Sequence, residues 1–216
     1  MPARSSSPAP VLALDTALKR CSVWVGGADA RAAIDRPLAR GHAERLIPMI
    51  EQALALARCD LQDLAGIAVT AGPGSFTGVR TGLAAARALA LATGLPVYPV
   101  TTLMALAATA GPTPGRWLAL IEGPRDQAYA QRFQVTGAGL EPLEAPVCLP
   151  REAALGRAHD HRLCWHADSP SLAEAAGRLA ARGNLTAGPA EPVYLRPPDA
   201  ALPADNPFAR TLPARS

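Results

Sequence analysis

The most informative segment of this 216-residue chain reads Gly72-Pro73-Gly74-Ser75-Phe76-Thr77-Gly78-Val79-Arg80. A short apolar run at 66–70 precedes it and has the composition of a buried strand, while 79–93 has that of an apolar helix. Glycine adopts backbone conformations that other residues avoid, and Ser75 or Thr77 can cap the helix that follows. The segment is therefore predicted to be a tight turn between a strand and a helix.

The same turn has the features of an anion site, because free backbone amides at the start of a helix attract negative charge. The residues that would form the site are Gly72, Gly74, Ser75, Thr77 and Gly78. A purely structural turn is an equally good interpretation, because short glycine patterns are common. A Walker P-loop is excluded, since Lys19 is the only lysine in the chain, and a nucleophile elbow is excluded because Ser75 lacks the flanking glycines.

The helix after the turn carries a stripe of small residues, Gly82, Ala86 and Ala90, spaced four apart. Such a stripe lets another backbone come close. The helix is apolar on nearly all sides, so it needs cover on both faces. One face is expected to meet the sheet, and the other a further helix, which either this chain or a partner could supply.

The first hundred residues alternate between strands and helices. Strands are predicted at 11–15, 21–26, 30–34, 66–70 and 96–100, and helices at 43–58, 79–93 and 102–109. Pro48 predicts a late start or a kink in the first helix. An opening hairpin followed by crossover helices predicts an α/β fold built on a mixed sheet.

The rest of the chain is less regular. Strands are predicted at 117–121, 128–135, 162–166 and 193–196, and a helix at 170–182. We expect a first lobe at 11–104 and a second, smaller lobe at 105–196. The segments 1–10 and 197–216 are rich in proline with serine or alanine, and are predicted to be flexible tails.

Composition limits the class of protein. Apolar residues make up 49% and charged residues 18%, and the net charge is +3, which permits contact with nucleic acid without arguing for it. The cysteines are scattered without a C-x-x-C pair, as is typical of a reducing compartment. No apolar run is long enough to span a bilayer, and 1–10 does not resemble a secretion signal. These features predict a cytoplasmic protein.

Candidate chemical groups are few. Asp15 and Thr16 end the first strand, where an acid could hold a metal–phosphate or simply cap the turn. His42 and Glu44 lack a second histidine at helical spacing, so His42 is predicted to be a surface or capping residue. The group His159, His161, Cys164 and His166 matches no common zinc spacing. No catalytic residue and no metal ligand are assigned from the sequence.

Four blocks of sequence carry a family resemblance. They are Val11-Leu-Ala-Leu-Asp15-Thr16, His42-Ala-Glu-Arg-Leu-Ile-Pro48, the turn 72–80 continued by Thr81-Gly82-Leu83, and Val193-Tyr-Leu-Arg196. Together they resemble the family of bacterial tRNA threonylcarbamoyladenosine biosynthesis proteins called TsaB. The sequence departs from the family pattern in the turn after Asp15 and at Gly123-Pro-Arg-Asp-Gln-Ala-Tyr129, where only Arg125 and Tyr129 correspond.

The resemblance implies a two-lobed actin-like ATPase (ribonuclease H-like) fold, with a mixed sheet and a reduced second lobe, in the glycoprotease-like family. It also implies a non-catalytic scaffold that binds and activates TsaD. TsaD is the transferase that forms threonylcarbamoyladenosine next to the anticodon of tRNAs reading codons that start with A. The implied partners are TsaD, the small ATPase TsaE and, through the complex, tRNA. No tightly bound cofactor is implied, and ATP or ADP belongs to the complex.

The resemblance further implies an interface formed by the helices that begin near residues 43 and 79. The residues assigned to it are His42, Glu44, Leu46, Met49, Arg80, Gly82, Ala86 and Ala90. Whether the isolated chain forms a homodimer stays open. Two other functions are weighed, a small kinase or ATPase of the same superfamily and a glycoprotease-like peptidase.

Overall fold

The computed structural model describes residues 9–27, 31–111, 113–137, 139–165 and 171–195. Most of the predicted tail at 1–10 and all of the tail at 197–216 lie outside these ranges. His166 and Arg196 also lie outside them. The statements below concern the described residues.

The first sheet contains β1 (Val11–Asp15), β2 (Arg20–Gly26), β3 (Arg31–Pro37), β4 (Gly66–Thr70) and β5 (Val97–Val100). Its strand order is β3-β2-β1-β4-β5. The central strand β1 runs antiparallel to β2 and parallel to β4, so the predicted mixed sheet is confirmed. Every residue of β1 and β4 is buried, as expected of strands that are covered on both faces.

Helices α1 (His42–Ala57) and α2 (Phe76–Thr93) cover one face of this sheet. Residues at helical spacing on α1, among them Leu46, Ile50 and Ala53, pack into the core beneath it. The predicted late start of α1 is wrong, because Pro48 lies inside the helix, which begins at His42. Helix α2 begins three residues before its predicted start, because Ser75 is its N-cap.

The second sheet contains β6 (Gly115–Glu122), β7 (Gln127–Thr136), β8 (Gly139–Pro142), β9 (Val147–Pro150) and β10 (Arg162–Trp165). Four strands follow the order β10-β6-β7-β8, and β9 pairs with the earlier part of the long strand β7. Helix α4 (Arg151–Gly156) packs on its outer face. The elements β8, β9 and α4 are too short to show a period in the sequence. No strand forms in the described part of 193–196.

Helices α3 (Thr102–Ala108) and α5 (Leu172–Ala181) lie between the two sheets. They share one apolar cluster with Trp24 of the first sheet and Phe133 of the second. The Trp24 ring lies directly on the backbone of α5, because a Cβ added at Gly177 would be 2.2 Å from it. The predicted lobe boundary near residue 104 falls, along the sequence, between the strands of the first sheet and those of the second. Helix α5 comes after this boundary but packs against the first sheet. The assignment of two separate lobes therefore remains a prediction.

Candidate partner interface and the glycine-rich turn

The glycines of the turn are in close contact with the chain's own first hairpin. A Cβ added at Gly74 would lie 2.3 Å from the carbonyl oxygen of Ala17, and one at Gly78 would lie 2.0 Å from that of Thr16. Both are far below an ordinary contact distance, and both neighbours are backbone atoms that cannot rotate away. The β1–β2 turn therefore fits against α2 only where side chains are absent.

Hydrogen bonds join the same two segments. The Ser75 amide donates to the Ala17 carbonyl at 2.7 Å, and the Thr16 hydroxyl donates to the Gly78 carbonyl at 2.7 Å. The Gly78 amide is engaged as well, since it donates to Ser75 Oγ at 3.3 Å. Close packing within the chain thus accounts for Gly74 and Gly78 without a ligand. The anion site at Gly72, Gly74, Ser75, Thr77 and Gly78 remains a prediction.

Asp15 lies beneath this contact and is almost completely buried. Its carboxylate accepts hydrogen bonds from the Thr70 hydroxyl at 2.6 Å and from the Ala17 amide at 3.1 Å. Burial raises the pKa of the carboxyl group above its usual value, and the two hydrogen bonds oppose that rise. These contacts favour the turn-capping interpretation of Asp15 over a role as a metal–phosphate ligand.

Residues 188–195, which we call the C-terminal strap, cover the opposite side of the turn. The Gly188 amide donates to the Val97 carbonyl at 3.0 Å, and the Val193 amide donates to the Ala71 carbonyl at 2.7 Å. Gly72 has a φ of 97° and a Cβ position 2.9 Å from the Val193 carbonyl oxygen, so a side chain there would be strained and obstructed. The strap thereby brings the end of the described chain beside α2.

Most of the residues predicted to form a partner interface are in the core instead. Five of the eight are buried within this chain: His42, Leu46, Met49, Gly82 and Ala86. The small-residue stripe faces the first sheet, since Gly82 contacts Thr16 and Val69 while Ala86 belongs to the core cluster. Their burial argues against these five as contact residues, although Leu46 lines the groove between α1 and α2, and the interface assignment stays a prediction. Glu44 and Arg80 are exposed, and Ala90 is half-buried.

His42 also departs from its predicted place at the surface. Its ring is buried, and Nε2 lies 3.1 Å from the carbonyl oxygen of Arg20. The side chain therefore ties the start of α1 to the start of β2. This contact joins residues 22 positions apart, which the local sequence pattern could not reveal.

The outer faces of α1 and α2 remain uncovered by the described residues. Exposed residues on these faces, here called the docking face, are Ala43, Ile47, Phe76, Arg80, Ala84, Ala88 and Leu91. Ile47 is 46% exposed, Phe76 53% and Leu91 90%, so large apolar side chains of both helices face solvent here. A groove of about 660 Å³ runs between the two helices. Contiguous exposed apolar surface of this kind marks sites where proteins associate.

The sequence contained a signal for the docking face. Arg80, Ala84, Ala88 and Leu91 fall on one side of α2, opposite the small-residue stripe. The sequence contained no signal that the C-terminal strap contacts α2, because Tyr194 and its hydrogen-bond donor Arg80 are 114 positions apart.

The other candidate groups do not come together into a site. His159 is exposed and pairs with Asp160, whereas Cys164 is buried on the inner face of β10. Burial raises the pKa of Cys164 to about 11. Among the described residues, which exclude His166, no three histidine, cysteine or acidic side chains are grouped to hold a metal ion. All four cysteines are free thiols. No helix in the described part of the chain is long and apolar enough to cross a bilayer.

Comparison with known proteins gives the family. A model described as TsaD, tRNA N6-adenosine threonylcarbamoyltransferase, matches residues 36–177. The TsaB protein of Escherichia coli is 37% identical over 126 residues, which cover 57% of this chain and 54% of the relative. The match therefore spans about half the length of that relative. An uncharacterized protein of Mycobacterium tuberculosis is 36% identical over 206 residues, covering 88% of this chain and 93% of the relative.

A solved structure supports the same relationship. YeaZ from Pseudomonas aeruginosa aligns with a TM-score of 0.71 at 28% sequence identity, covering 87% of this chain and 100% of that one. This likeness and the two mixed sheets confirm the predicted α/β, actin-like and ribonuclease H-like fold class. The chain therefore belongs to the family that the TsaD model describes and, within it, to the group of the TsaB proteins.

Proposed function

We propose that this chain is a non-catalytic scaffold subunit in the formation of threonylcarbamoyladenosine next to the anticodon of tRNAs reading codons that start with A. It binds a TsaD-like transferase subunit and activates it. The observation that carries the proposal is the uncovered docking face on a chain of this family. Its relative in Escherichia coli is named a tRNA threonylcarbamoyladenosine biosynthesis protein.

The docking face suits a partner that is related to the chain itself. The matched residues 36–177 contain both α1 and α2, so a TsaD-like subunit carries counterparts of the same two helices. Related subunits can pair through equivalent surfaces in a nearly twofold arrangement, as identical subunits do. Ala84 and Ala88 allow a partner helix to approach closely. A homodimer of the isolated chain would use the same surface.

The exposed apolar side chains are large enough to matter for such a contact. Full burial of a leucine, isoleucine or phenylalanine side chain contributes about 1.5–3 kcal/mol. Leu91 is almost fully exposed, while Ile47 and Phe76 are about half exposed. The three together could therefore contribute on the order of 3–5 kcal/mol, which corresponds to about a hundredfold to a few thousandfold in affinity.

The scaffold role agrees with the state of the glycine-rich turn. Its amides at Ser75 and Gly78 are engaged within the chain, and the Ser75 hydroxyl caps α2. The proposal therefore includes no catalytic residue and no tightly bound cofactor of this chain, and assigns ATP or ADP to the complex. A TsaE-like ATPase and tRNA complete the assembly, which acts in the cytoplasm. Among the described residues, no contact of Ser75 favours the peptidase alternative.

A reconstituted transfer reaction tests the proposal. The chain, a TsaD-like subunit and a TsaE-like ATPase from the same organism are combined with tRNA and threonylcarbamoyl-adenylate, and the modified adenosine is measured. We expect no product from the chain alone and a large loss of product when it is omitted. Modification of tRNA by the isolated chain, or an unchanged rate without it, would refute the scaffold role.

A further inference from the structure

Arg80 is held in one position at the edge of the docking face. Its guanidinium carbon lies 3.8 Å from the centroid of the Phe76 ring, and its Nε donates a hydrogen bond to the Tyr194 hydroxyl at 2.9 Å. The two rings stack on each other, with centroids 5.6 Å apart and an angle of 24° between their planes. We call these three residues the arginine clamp. All three are exposed, so the clamp immobilises a long side chain at the surface.

The clamp leaves the end of the guanidinium group unused. Among the described residues, the two terminal nitrogens of Arg80 have no hydrogen-bond acceptor, and Arg80 forms no ion pair. By contrast, Arg20 and Arg178 are each bonded to a carboxylate of this chain. A guanidinium fork with free terminal nitrogens matches the geometry of a carboxylate, which it can bind through two parallel hydrogen bonds.

The C-terminal strap supplies one of the three clamp residues, Tyr194. The Val193 amide bonds to the Ala71 carbonyl, and Arg87 donates a short hydrogen bond to the Ala190 carbonyl. These contacts hold Tyr194 against α2. Aromatic residues and arginine are enriched among the side chains that dominate binding energy at protein interfaces. A clamp that is already ordered loses little conformational entropy when a partner arrives.

We propose that the arginine clamp receives a carboxylate of the TsaD-like partner, so that the C-terminal strap is part of the docking surface. The inference rests on the proposed function, and it adds the chemistry of the contact and a segment that the two helices do not contain. Phe76 and Arg80 line the same groove as Ala43 and Ile47, so a protein that covers the helices also reaches the clamp. An RNA phosphate is the other anion of suitable shape, and the test below distinguishes it from a carboxylate of the partner.

Titration calorimetry of the full chain with the TsaD-like subunit tests the inference, at about 50 and about 300 mM salt. Arg80→Gln is expected to weaken binding at least about tenfold at low salt and to reduce the salt dependence. Arg80→Lys keeps the charge without the guanidinium fork, so its affinity for the partner should lie between those of the wild type and Arg80→Gln. Tyr194→Phe keeps the stacked ring but frees Arg80, and should weaken binding a few-fold. Arg178→Gln, on α5, is the matched control and should change neither the affinity for the partner nor its salt dependence.

The outcomes separate the two proposals. If the wild-type chain does not bind the partner, the proposed function is refuted and this inference falls with it. If Arg80→Gln is folded by circular dichroism and binds with wild-type affinity and salt dependence, the clamp inference alone is overturned. It is also overturned if Arg80→Gln binds the partner normally but the complex loses affinity for tRNA, because the anion would then be a phosphate.

Discussion

Replacement of Gly78 by alanine tests whether the glycine-rich turn serves packing or a ligand. The new Cβ would lie 2.0 Å from the Thr16 carbonyl oxygen, whereas ordinary contact begins at 3.4 Å. The hairpin and the helix must therefore separate by about 1.4 Å, the difference between those distances. That movement stretches two hydrogen bonds, the buried one from Thr16 Oγ1 to the Gly78 carbonyl and the one from the Ser75 amide to the Ala17 carbonyl.

The opposing effects can be compared in size. Overpacking a well-filled core costs about 1–3 kcal/mol, and a buried polar group left without its partner costs about 1–3 kcal/mol. Alanine inside a helix is favoured over glycine by about 1 kcal/mol. The net destabilisation of Gly78→Ala is therefore about 1–5 kcal/mol. For a chain of this length it lowers the melting temperature by roughly 2–20 °C.

Thermal and urea unfolding, followed by circular dichroism, measure this change. The matched control is Gly156→Ala at the end of α4, where an added Cβ meets nothing within 4 Å. Its stability should stay within about 1 kcal/mol of wild type. The packing argument is refuted if Gly78→Ala is as stable as wild type. Loss of binding to ATP or inorganic phosphate in such a stable variant would show that the glycines serve an anion.

Three further predictions concern single side chains. Because burial raises the pKa of Asp15, the contribution of this carboxyl group to stability should fall as pH rises from 3.8 towards its raised pKa in the folded chain. Asp15→Asn, which keeps the accepting oxygen, should gain stability relative to wild type over that range in urea titrations, and a constant difference would contradict this. Ser75→Ala removes a helix cap and should lower the free energy of unfolding in urea by about 0.5–2 kcal/mol, while tRNA modification in the reconstituted reaction continues. Loss of modification by the folded variant would instead indicate that the Ser75 hydroxyl takes part in the reaction. Burial raises the pKa of both Cys21 and Cys164 to about 11, so both thiols should resist a thiol reagent at pH 8 until the chain unfolds. Rapid labelling of either cysteine in the folded protein would disprove their burial.

The first sheet could be predicted well because its signals are local. The strand at 66–70 is a continuous apolar run and coincides with the observed β4. The first hairpin and the three helices α1, α2 and α3 also appear where alternation and helical period place them, to within a few residues. Strands β8 and β9 have only four residues each, which is too few for a period to be recognised.

The partner interface could be predicted only in outline. Helical period shows that Gly82 and Ala86 share a face of α2, but it does not show which face meets the sheet. The structure turns the small residues inward, and at Gly82 the Thr16 hydroxyl would lie only 2.7 Å from an added Cβ. The arginine clamp was beyond sequence reasoning, since it depends on the strap's return to α2.

The claim that the docking face binds a TsaD-like subunit is tested most directly by one pair of substitutions on α1. Ile47 faces the groove beside α2, and Leu56 is exposed on the opposite flank of the same helix. Size-exclusion chromatography and calorimetry with the TsaD-like subunit would compare Ile47→Arg with Leu56→Arg. We expect that Ile47→Arg abolishes the complex and that Leu56→Arg forms it with wild-type affinity. Equal binding by both folded variants would contradict it.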